Sequence, residues 1–296
     1  MLKLLVARFQ QGHRTVPYPH APPTLPDRLR GGPLLDTAKC PNGCTGCVEA
    51  CPTDALTSGA RGLELDMGRC LFCTECTQAC PTGALAFTQE YRLAARDRSD
   101  LIVRERALPR EKRLSEQMRR LFGRSLKLRQ VSAGGCNGCE ADVNVLGTIV
   151  FDLGRFGIQM VASPRHADGL LITGPVTENM KLALKKTYDA VPAPKIVIAS
   201  GACAISGGPF AGHPEVHDGA AGVVPVDLYI PGCPPHPFTI LDGLLGLLGR
   251  LEEGKLSKRI HVTGEQVASE NRAEAREWGK QRAEEAVKYL GTDRQE

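Results

Sequence analysis

Residues 70–81 read Cys-Leu-Phe-Cys-Thr-Glu-Cys-Thr-Gln-Ala-Cys-Pro, with two residues in each gap between the first three cysteines and three residues before the fourth. An earlier stretch, residues 44–56, aligns without a gap with residues 73–85. In both copies the last cysteine is followed by proline, which ends a short helix because it has no backbone N–H to donate. The two stretches therefore form an internal repeat, and we expect both halves to do the same task.

The spacing in residues 70–81 is that of bacterial ferredoxins, in which the fourth cysteine of a run binds the neighbouring 4Fe–4S cluster. Three thiolates in one loop can reach three iron corners, while the fourth lies on a helix directed towards the other site. We therefore predict two interlocked clusters with exchanged ligands. The first has Cys40, Cys44, Cys47 and Cys80, and the second has Cys51, Cys70, Cys73 and Cys76.

The first run departs from this spacing, because Pro41, Asn42 and Gly43 separate its first two cysteines, one residue more than the usual gap. Asn and Gly tolerate left-handed backbone, so the turn can bulge outward while the thiolate stays directed inward. Zinc is the alternative metal, since it also takes four thiolates. Its sites usually pair two short cysteine hooks, however, rather than using four consecutive cysteines before a proline. A disulfide framework is a weaker alternative.

From residue 127 onward, apolar runs alternate with helical stretches. Four runs are typical of buried parallel strands: 157–162, 169–173, 195–200 and 224–230. Two stretches are typical of helices: 178–190 and 237–251. This alternation predicts a doubly wound, flavodoxin-like α/β domain with a parallel sheet.

The last four cysteines lie in loops of this second half. Cys203 and Cys233 follow predicted strands, and Cys136 and Cys139 form a Cys-Asn-Gly-Cys motif. The carboxyl ends of parallel strands meet at one edge of a sheet, which is where ligands bind, so we expect the four thiolates to converge there. Four thiolates are the right type and number of ligands for one more 4Fe–4S cluster. The predicted cofactors are therefore three 4Fe–4S clusters. The alternative is four unrelated buried cysteines, which need neither glycine-rich loops nor the flanking Pro-Pro pair.

The sequence divides into five segments. We predict an extended arm at 1–36, an α+β ferredoxin-like domain with two 4Fe–4S clusters at 37–90, a basic linker with a helix at 91–126, the α/β domain at 127–252 and a charged helical tail at 253–296. The arm is rich in Pro, Gly and Arg, so we expect it to lie on a partner surface or in solvent. The linker lacks interleaved aromatic residues, which favours docking on an acidic subunit or a membrane-proximal surface over nucleic-acid binding.

Composition excludes several classes of protein. Of 296 residues, 24% are charged and 42% are hydrophobic, which excludes collagen-like and wholly disordered chains. No apolar stretch reaches the roughly 18–20 residues that a membrane span needs. Residues 1–9 lack a signal-peptide pattern, so we expect a cytoplasmic location, where clustered cysteines bind metal rather than form disulfides.

Three motifs of the second half resemble those of a known family. They are Gly-Gly-Cys-Asn-Gly-Cys-Glu at 134–140, Gly-Ala-Cys-Ala-Ile-Ser-Gly-Gly at 201–208 and Tyr-Ile-Pro-Gly-Cys-Pro-Pro at 229–235. The set is similar to the small subunit of membrane-bound, energy-converting nickel–iron hydrogenases, a relative of the 20 kDa subunit of respiratory complex I. The first domain is similar to the two-cluster ferredoxin subunit of the same assemblies, and the resemblance includes arm residues Thr15, Tyr18, Pro19, Arg30 and Gly31.

The resemblance implies an oxidoreductase subunit that transfers electrons and has no catalytic residue of its own. Electrons would pass between the paired clusters and the single cluster, which would lie against the active site of a large catalytic subunit, either nickel–iron or quinone-binding. Membrane subunits and an electron-donor or acceptor subunit are the other implied partners, with attachment to the inner face of the cell membrane through them. Complex I relatives have adjacent Cys-Cys in the first motif, so Cys136-Asn-Gly-Cys139 favours the hydrogenase type, and the complex I type is the alternative.

Two further residues near these motifs invite a functional interpretation. Glu140 is a candidate for a proton path or for tuning a cluster potential, but an acid favoured by a helix N-terminus explains it equally simply. His236 can contact a sulfur or a partner, although a single histidine more often has a packing role. A third hypothesis of a different class is a zinc-stabilised module that binds nucleic acid through the basic linker.

Overall fold

The computed structural model describes residues 2–12, 14–41, 43–59, 62–104, 120–122 and 124–249. The predicted helical tail and most of the predicted linker helix lie outside these residues. None of the described helices has the length and apolar character needed to cross a membrane.

The N-terminal half forms small antiparallel sheets and short helices. Strands β1 (Pro33–Leu35) and β4 (Leu85–Phe87) pair with each other, and β2 (Leu56–Gly59), β3 (Gly62–Asp66) and β5 (Ile102–Val103) form a second sheet. Each repeat contributes one short helix, α2 (Gly46–Glu49) or α3 (Glu75–Ala79), which ends just before the Cys-Pro pair. The helices end there because proline cannot donate the next backbone hydrogen bond. The predicted ferredoxin-like domain is confirmed in this coarse form.

The C-terminal half contains a parallel sheet of five strands. They are β6 (Leu126–Ser132), β7 (Ile158–Met160), β8 (Gly169–Thr173), β9 (Ile196–Ser200) and β10 (Leu228–Ile230). The spatial order is β10-β9-β8-β6-β7, which is the 2-1-3-4-5 order of doubly wound sheets such as that of flavodoxin. The helices are α4 (Gly138–Val145), α5 (Glu178–Ala190), α6 (Ala202–Ser206) and α7 (Pro237–Leu247).

The predicted parallel sheet is confirmed, but one of its strands was not recognised in the sequence. The strand at 169–173 and the helix at 178–190 have the predicted bounds, whereas the other predicted strands and the helix at 237–251 are shorter than expected. The missed strand is β6, which lies between β7 and β8. It alternates buried Leu126 and Leu128 with charged Lys127 and Arg129, and this basic composition resembles the linker that precedes it.

Two hydrophobic cores cover the two faces of this sheet. Leu170 and Ile172 of β8 belong to one core, and Leu171 belongs to the other, as the alternation of side chains along a strand requires. The first core continues into the ferredoxin-like domain, where it includes Leu56 and Leu65. Because each fully buried leucine contributes about 1.5–3 kcal/mol, this shared core holds the two halves together as one packed unit.

The N-terminal arm differs from the expectation of an extended segment on a partner or in solvent. Leu2–Gln11 form helix α1, and the chain after it packs on its own domains. Tyr18 is 1% exposed, and its hydroxyl donates to Oδ1 of Asp242 in α7. The backbone N–H of Val16 donates to the carbonyl of Val150 at 2.8 Å. The aromatic side chain of Tyr18 is the physical reason, because leaving it in water would forgo a large gain from burial.

Candidate metal centres

The four cysteines predicted for the second cluster lie around one cavity. Its lining includes Cys51, Cys70, Cys73 and Cys76, together with apolar Leu56, Leu65 and Phe87. Three of these cysteines come from the loop and helix α3 of the second repeat, and Cys51 follows α2 of the first repeat. The structure therefore brings together thiols from both repeats, in the exchanged arrangement that the sequence predicts.

The loop of this second set has a constrained backbone. Phe72 and Thr74 adopt the left-handed region at φ of 55° and 75°, which is unusual for residues other than glycine. The turn lets the backbone N–H of Phe72 donate to Sγ of Cys70 at 3.3 Å. Arg30 of the arm donates to the carbonyl of Phe72 at 2.8 Å, so the arm supports the ligand loop directly.

The first predicted set also converges. Burial raises the pKa of the Cys47 thiol, and the charges of Cys80, Cys40 and Cys44 raise it further, so these three side chains are near enough to Cys47 to act on it. Burial also acts to raise the pKa of Cys80, but hydrogen bonds from the Thr82 hydroxyl and backbone N–H groups outweigh it and lower the pKa. One of these donors, the N–H of Ala84, lies 3.3 Å from Sγ of Cys80. Such donors favour a thiolate.

The third set lies at the carboxyl edge of the parallel sheet. Cys136 follows β6, Cys139 is in the first turn of α4, Cys203 is in α6 after β9, and Cys233 follows β10. Burial raises the pKa of Cys203 to about 11, with further contributions from the charges of Cys233 and Cys136. Burial likewise raises the pKa of Cys139, helped by the charges of the other three cysteines. The structure therefore gathers all four side chains at one edge.

Glycines allow the backbone to approach these sulfurs. A Cβ added at Gly201 would lie 2.5 Å from Sγ of Cys139, and one at Gly208 would lie 2.9 Å from Sγ of Cys203. Both glycines have positive φ values of 94° and 57°, so a side chain would be strained there even without the sulfur. Glycine at these two positions therefore leaves space next to the sulfur atoms of Cys139 and Cys203.

Glu140 is held in place by two hydroxyls that sequence reasoning did not identify. Its Oε1 accepts from Ser132 Oγ at 2.7 Å and from Thr173 Oγ1 at 2.6 Å. Burial alone would raise the pKa of Glu140, but these hydrogen bonds outweigh it and lower the pKa, so the side chain is a buried carboxylate. The sequence signal that could have identified them is a hydroxyl side chain at the last position of each of two neighbouring strands, Ser132 in β6 and Thr173 in β8.

His236 has a structural role in the described part of the chain. It precedes α7, where its Nδ1 accepts from the backbone N–H of Phe238 at 3.2 Å and its ring stacks on the Phe238 ring. The packing interpretation therefore accounts for this residue.

Packing and electrostatic effects connect the sets. Cys47 of the first set and Cys70 and Cys76 of the second set belong to the same hydrophobic core, and the charge of Cys47 adds to the burial that raises the pKa of Cys76 to about 12. Partial burial raises the pKa of Cys233, an otherwise exposed residue, followed by the charges of Cys136 and Cys73. The second set therefore has neighbours in both of the other sets.

The donor chemistry of the three sets fits 4Fe–4S clusters. Within the described residues, no three His, Cys, Asp or Glu side chains form a group suited to a single metal ion. Each set consists of four thiols, the ligand that these clusters use, with backbone N–H donors or glycine-lined space at the sulfurs. Burial and, after it, mutual repulsion raise the pKa values of these thiols; bound iron would offset both effects, because a bound cation deprotonates coordinating thiols outright.

Two family matches cover the two halves of the chain. Residues 136–247 match the family described as the NADH ubiquinone oxidoreductase, 20 Kd subunit, and residues 39–84 match the 4Fe–4S dicluster domain. The first match contains the third cysteine set, and the second contains the other two.

Three relatives illustrate the similarity. The probable membrane-bound hydrogenase subunit mbhJ of Pyrococcus furiosus is 43% identical over 48% of this chain and 84% of that subunit. Formate hydrogenlyase subunit 7 of Escherichia coli is 45% identical over 51% of this chain and 57% of its own length. A subunit of the NADH-quinone oxidoreductase of Clostridium beijerinckii is 47% identical over 37% of this chain and 65% of its own length. These relatives are oxidoreductase subunits, and the chain belongs to their family, that of the 20 kDa subunit of NADH ubiquinone oxidoreductase, with a 4Fe–4S dicluster domain at residues 39–84.

Proposed function

We propose that this chain is the electron-transfer subunit of a hydrogenase-like membrane complex and holds three 4Fe–4S clusters. The observation that carries the proposal is the gathering of twelve cysteines into three sets of four, with the second set near both of the others. We infer that the second cluster lies in the middle. When bound, the clusters supply one-electron redox chemistry. The chain itself provides the thiolates, the hydrogen bonds to sulfur and the packing that fixes the sets relative to each other.

The ligand sets in this proposal are the ones that the sequence predicts. The first has Cys40, Cys44, Cys47 and Cys80, the second has Cys51, Cys70, Cys73 and Cys76, and the third has Cys136, Cys139, Cys203 and Cys233. We assign the first two to a domain at 37–90 and the third to a domain at 127–252. The shared cavity of the second set and the mutual pKa effects within the other two support these assignments.

A large catalytic subunit is the proposed neighbour of the third set. Cys136 and Cys233 are exposed, whereas Cys203 is buried, so this set opens to the surface on one side. A cluster at this edge would be accessible to water, and a partner subunit placed over the edge would exclude that water. We propose that electrons are exchanged with the active site of that partner and that the first set faces the electron donor or acceptor subunit.

The hydrogenase type is favoured over the complex I type by one local feature. Asn137, which adopts the left-handed region at φ of 70°, and Gly138 separate Cys136 from Cys139, in place of an adjacent cysteine pair. The complex I type remains the second candidate because NADH-quinone oxidoreductase subunits are also among the relatives. The sequence of the neighbouring large subunit decides between them: two Cys-x2-Cys pairs favour nickel–iron, and their absence with quinone-dependent turnover favours complex I.

Metal content of the full chain, purified without oxygen, tests the proposal. We expect about twelve irons and as many labile sulfides per chain, four for each of three clusters, and paramagnetic cluster signals after reduction. Colourless protein with stoichiometric zinc would reject the proposal and support the zinc-stabilised module instead, which would then be tested for binding to a DNA probe.

A further inference from the structure

A contact between the two domains joins the loop of the second cysteine set to the helix of the third. Gly68, two residues before Cys70, accepts a hydrogen bond at its carbonyl from Ser206 Oγ at 2.9 Å. Ser206 is the last residue of α6, the helix that contains Cys203. Cys203 therefore lies one helical turn from this hydrogen bond between the two domains, and Cys70 lies two residues from it. We call this contact, formed by Asp66, Gly68, Arg98, Ile205 and Ser206, the seam.

The seam is closely packed because residue 68 has no side chain. A Cβ added at Gly68 would lie 2.8 Å from Cγ2 of Ile205 and 2.8 Å from Cζ of Arg98. Protein side chains essentially never approach so closely, so any larger residue requires Arg98, or Ile205 and with it α6, to shift. The φ of Gly68 is not positive, so the close approach of α6 is what requires glycine here.

An ion pair fixes the turn from its other side. Arg98 donates from both terminal nitrogens to the two carboxylate oxygens of Asp66, at 2.7 Å and 2.6 Å. The first of these oxygens also accepts from the backbone N–H of Gly68 at 2.9 Å. This forked geometry restrains the Arg98 side chain, so it cannot easily move aside to make room for a Cβ at Gly68.

We propose that Gly68 and Ser206 are positioning residues that set the separation between the second and third cysteine sets. The inference rests on the proposed function, since the separation matters because electrons must cross it. A second contact near the same junction supports a fixed geometry: Ala95 and Tyr229 exchange backbone hydrogen bonds at 3.0 Å and 2.8 Å, and Tyr229 lies in β10 just before Cys233. A shift of α6 would change the position of Cys203 while leaving its ligand chemistry intact.

The test compares two glycine variants of the full chain, reconstituted with iron and sulfide without oxygen. Gly68→Val places a branched side chain in the seam. Gly59→Val is the matched control, because Gly59 lies in β2 with no atom within 4 Å of an added Cβ and without positive φ. Iron content and electron paramagnetic resonance of the reduced proteins are the readouts, since the magnetic coupling between two reduced clusters falls with the cube of their distance.

We expect all proteins to contain about twelve irons. In the Gly68→Val protein, the splitting of the resonance lines that the coupling between the second and third clusters produces should be narrower than in the parent, because the clusters lie farther apart. The Gly59→Val protein should have the parental splitting. Full iron content with unchanged coupling in Gly68→Val would overturn the seam proposal alone, whereas a parent protein without clusters would overturn the proposed function. If Gly68→Val does not bind about twelve irons, the same coupling is measured in Gly68→Ala and in Ser206→Ala. Parental coupling in both of these variants would overturn the proposal.

Discussion

Asp242 is an acid buried within the apolar helix α7, where it accepts the hydroxyl hydrogen bond of Tyr18. Burial raises its pKa to about 6, although the bond from Tyr18 and the charge of Arg92 oppose this, while Glu90 adds to it. Tyr91 also lies near this group: its ring centroid is 6.0 Å from that of Tyr18, and burial, followed by the charge of Asp242, raises the pKa of Tyr91. The site therefore favours the neutral form of Asp242, because burying its anionic form costs free energy.

This cost predicts a pH dependence of stability. A carboxyl whose pKa is higher in the folded than in the unfolded protein stabilises the fold below the unfolded value, near 4, and that contribution is lost as pH rises through about 6. The loss amounts to about 2–3 kcal/mol. Asp242→Asn removes the ionisation, so the melting temperature of the variant relative to the parent should rise between pH 5 and pH 7.5. An equal difference at both pH values would contradict the burial argument.

Glu140 supplies a fixed negative charge beside the third cysteine set, where it raises the pKa values of Cys139 and Cys203. The same repulsion opposes addition of an electron. We predict that Glu140→Gln raises the midpoint potential of the third cluster, by about 40 mV for each 1 kcal/mol of charge interaction removed. A redox titration followed by electron paramagnetic resonance measures it, with exposed Glu215→Gln as the control. A potential unchanged in both variants would contradict this role.

Among the elements, helix α1 has an apolar face that the rest of the described chain leaves exposed. Leu5 and Phe9 are 64% and 93% exposed and lie one turn apart on the same face as Val6. Leu4, Leu5, Val6 and Phe9 belong to neither hydrophobic core of the described chain. A helix of this length is marginally stable alone in water, so an apolar partner surface would stabilise it.

If the chain is part of the proposed membrane complex, we predict that this face contributes to its attachment to the membrane subunits. Phe9→Asp should lower the fraction of the chain that sediments with the membranes of cells expressing the whole complex, by about tenfold or more, because it places a charge in the contact. Leu4→Asp is the control, since Leu4 is 75% exposed but lies off this face. Equal sedimentation of the two variants would show that the face has no such role.

The arm after α1 connects both domains, since Tyr18 packs on α7 and Arg30 on the loop of the second set. Tyr18→Phe removes one donor from buried Asp242, which should cost about 1–3 kcal/mol. We expect faster hydrogen exchange in residues 14–32, measured by mass spectrometry. Tyr188→Phe, at a half-buried position that packs against the first core rather than the core containing Tyr18, should leave the exchange unchanged. An arm that exchanges at the parental rate in Tyr18→Phe would contradict this role for the bond.

Elements whose signal is local were predictable from the sequence, and those that depend on distant partners were not. Strand β8 and helix α5 have the predicted bounds because continuous apolar residues and helical periodicity define them. Strand β6 was missed because its charged residues alternate with leucines at the boundary of a basic segment. The packed position of Tyr18 was missed because nothing near it in sequence points to Asp242, 224 residues away.

At the scale of the whole molecule, the grouping of the cysteines could be proposed from the sequence, but the position of the groups relative to each other could not. Regular spacing and strand ends suggest the three proposed ligand sets, because both are local patterns. The proximity of Cys73 to Cys233 depends instead on a shared core and on the seam, where Gly68 meets Ser206 across 138 residues. Contacts of this kind carry no sequence signal without the fold.

The central claim is that thiols from separate stretches of one chain surround three iron–sulfur clusters in a fixed order. Anomalous scattering at the iron edge, from crystals of the full chain grown without oxygen, tests it most directly. We predict three iron centres, with Cys51 bound to the middle one and Cys136, Cys139, Cys203 and Cys233 around one end. Fewer than three centres, or a middle centre bound by cysteines of one repeat alone, would contradict the account.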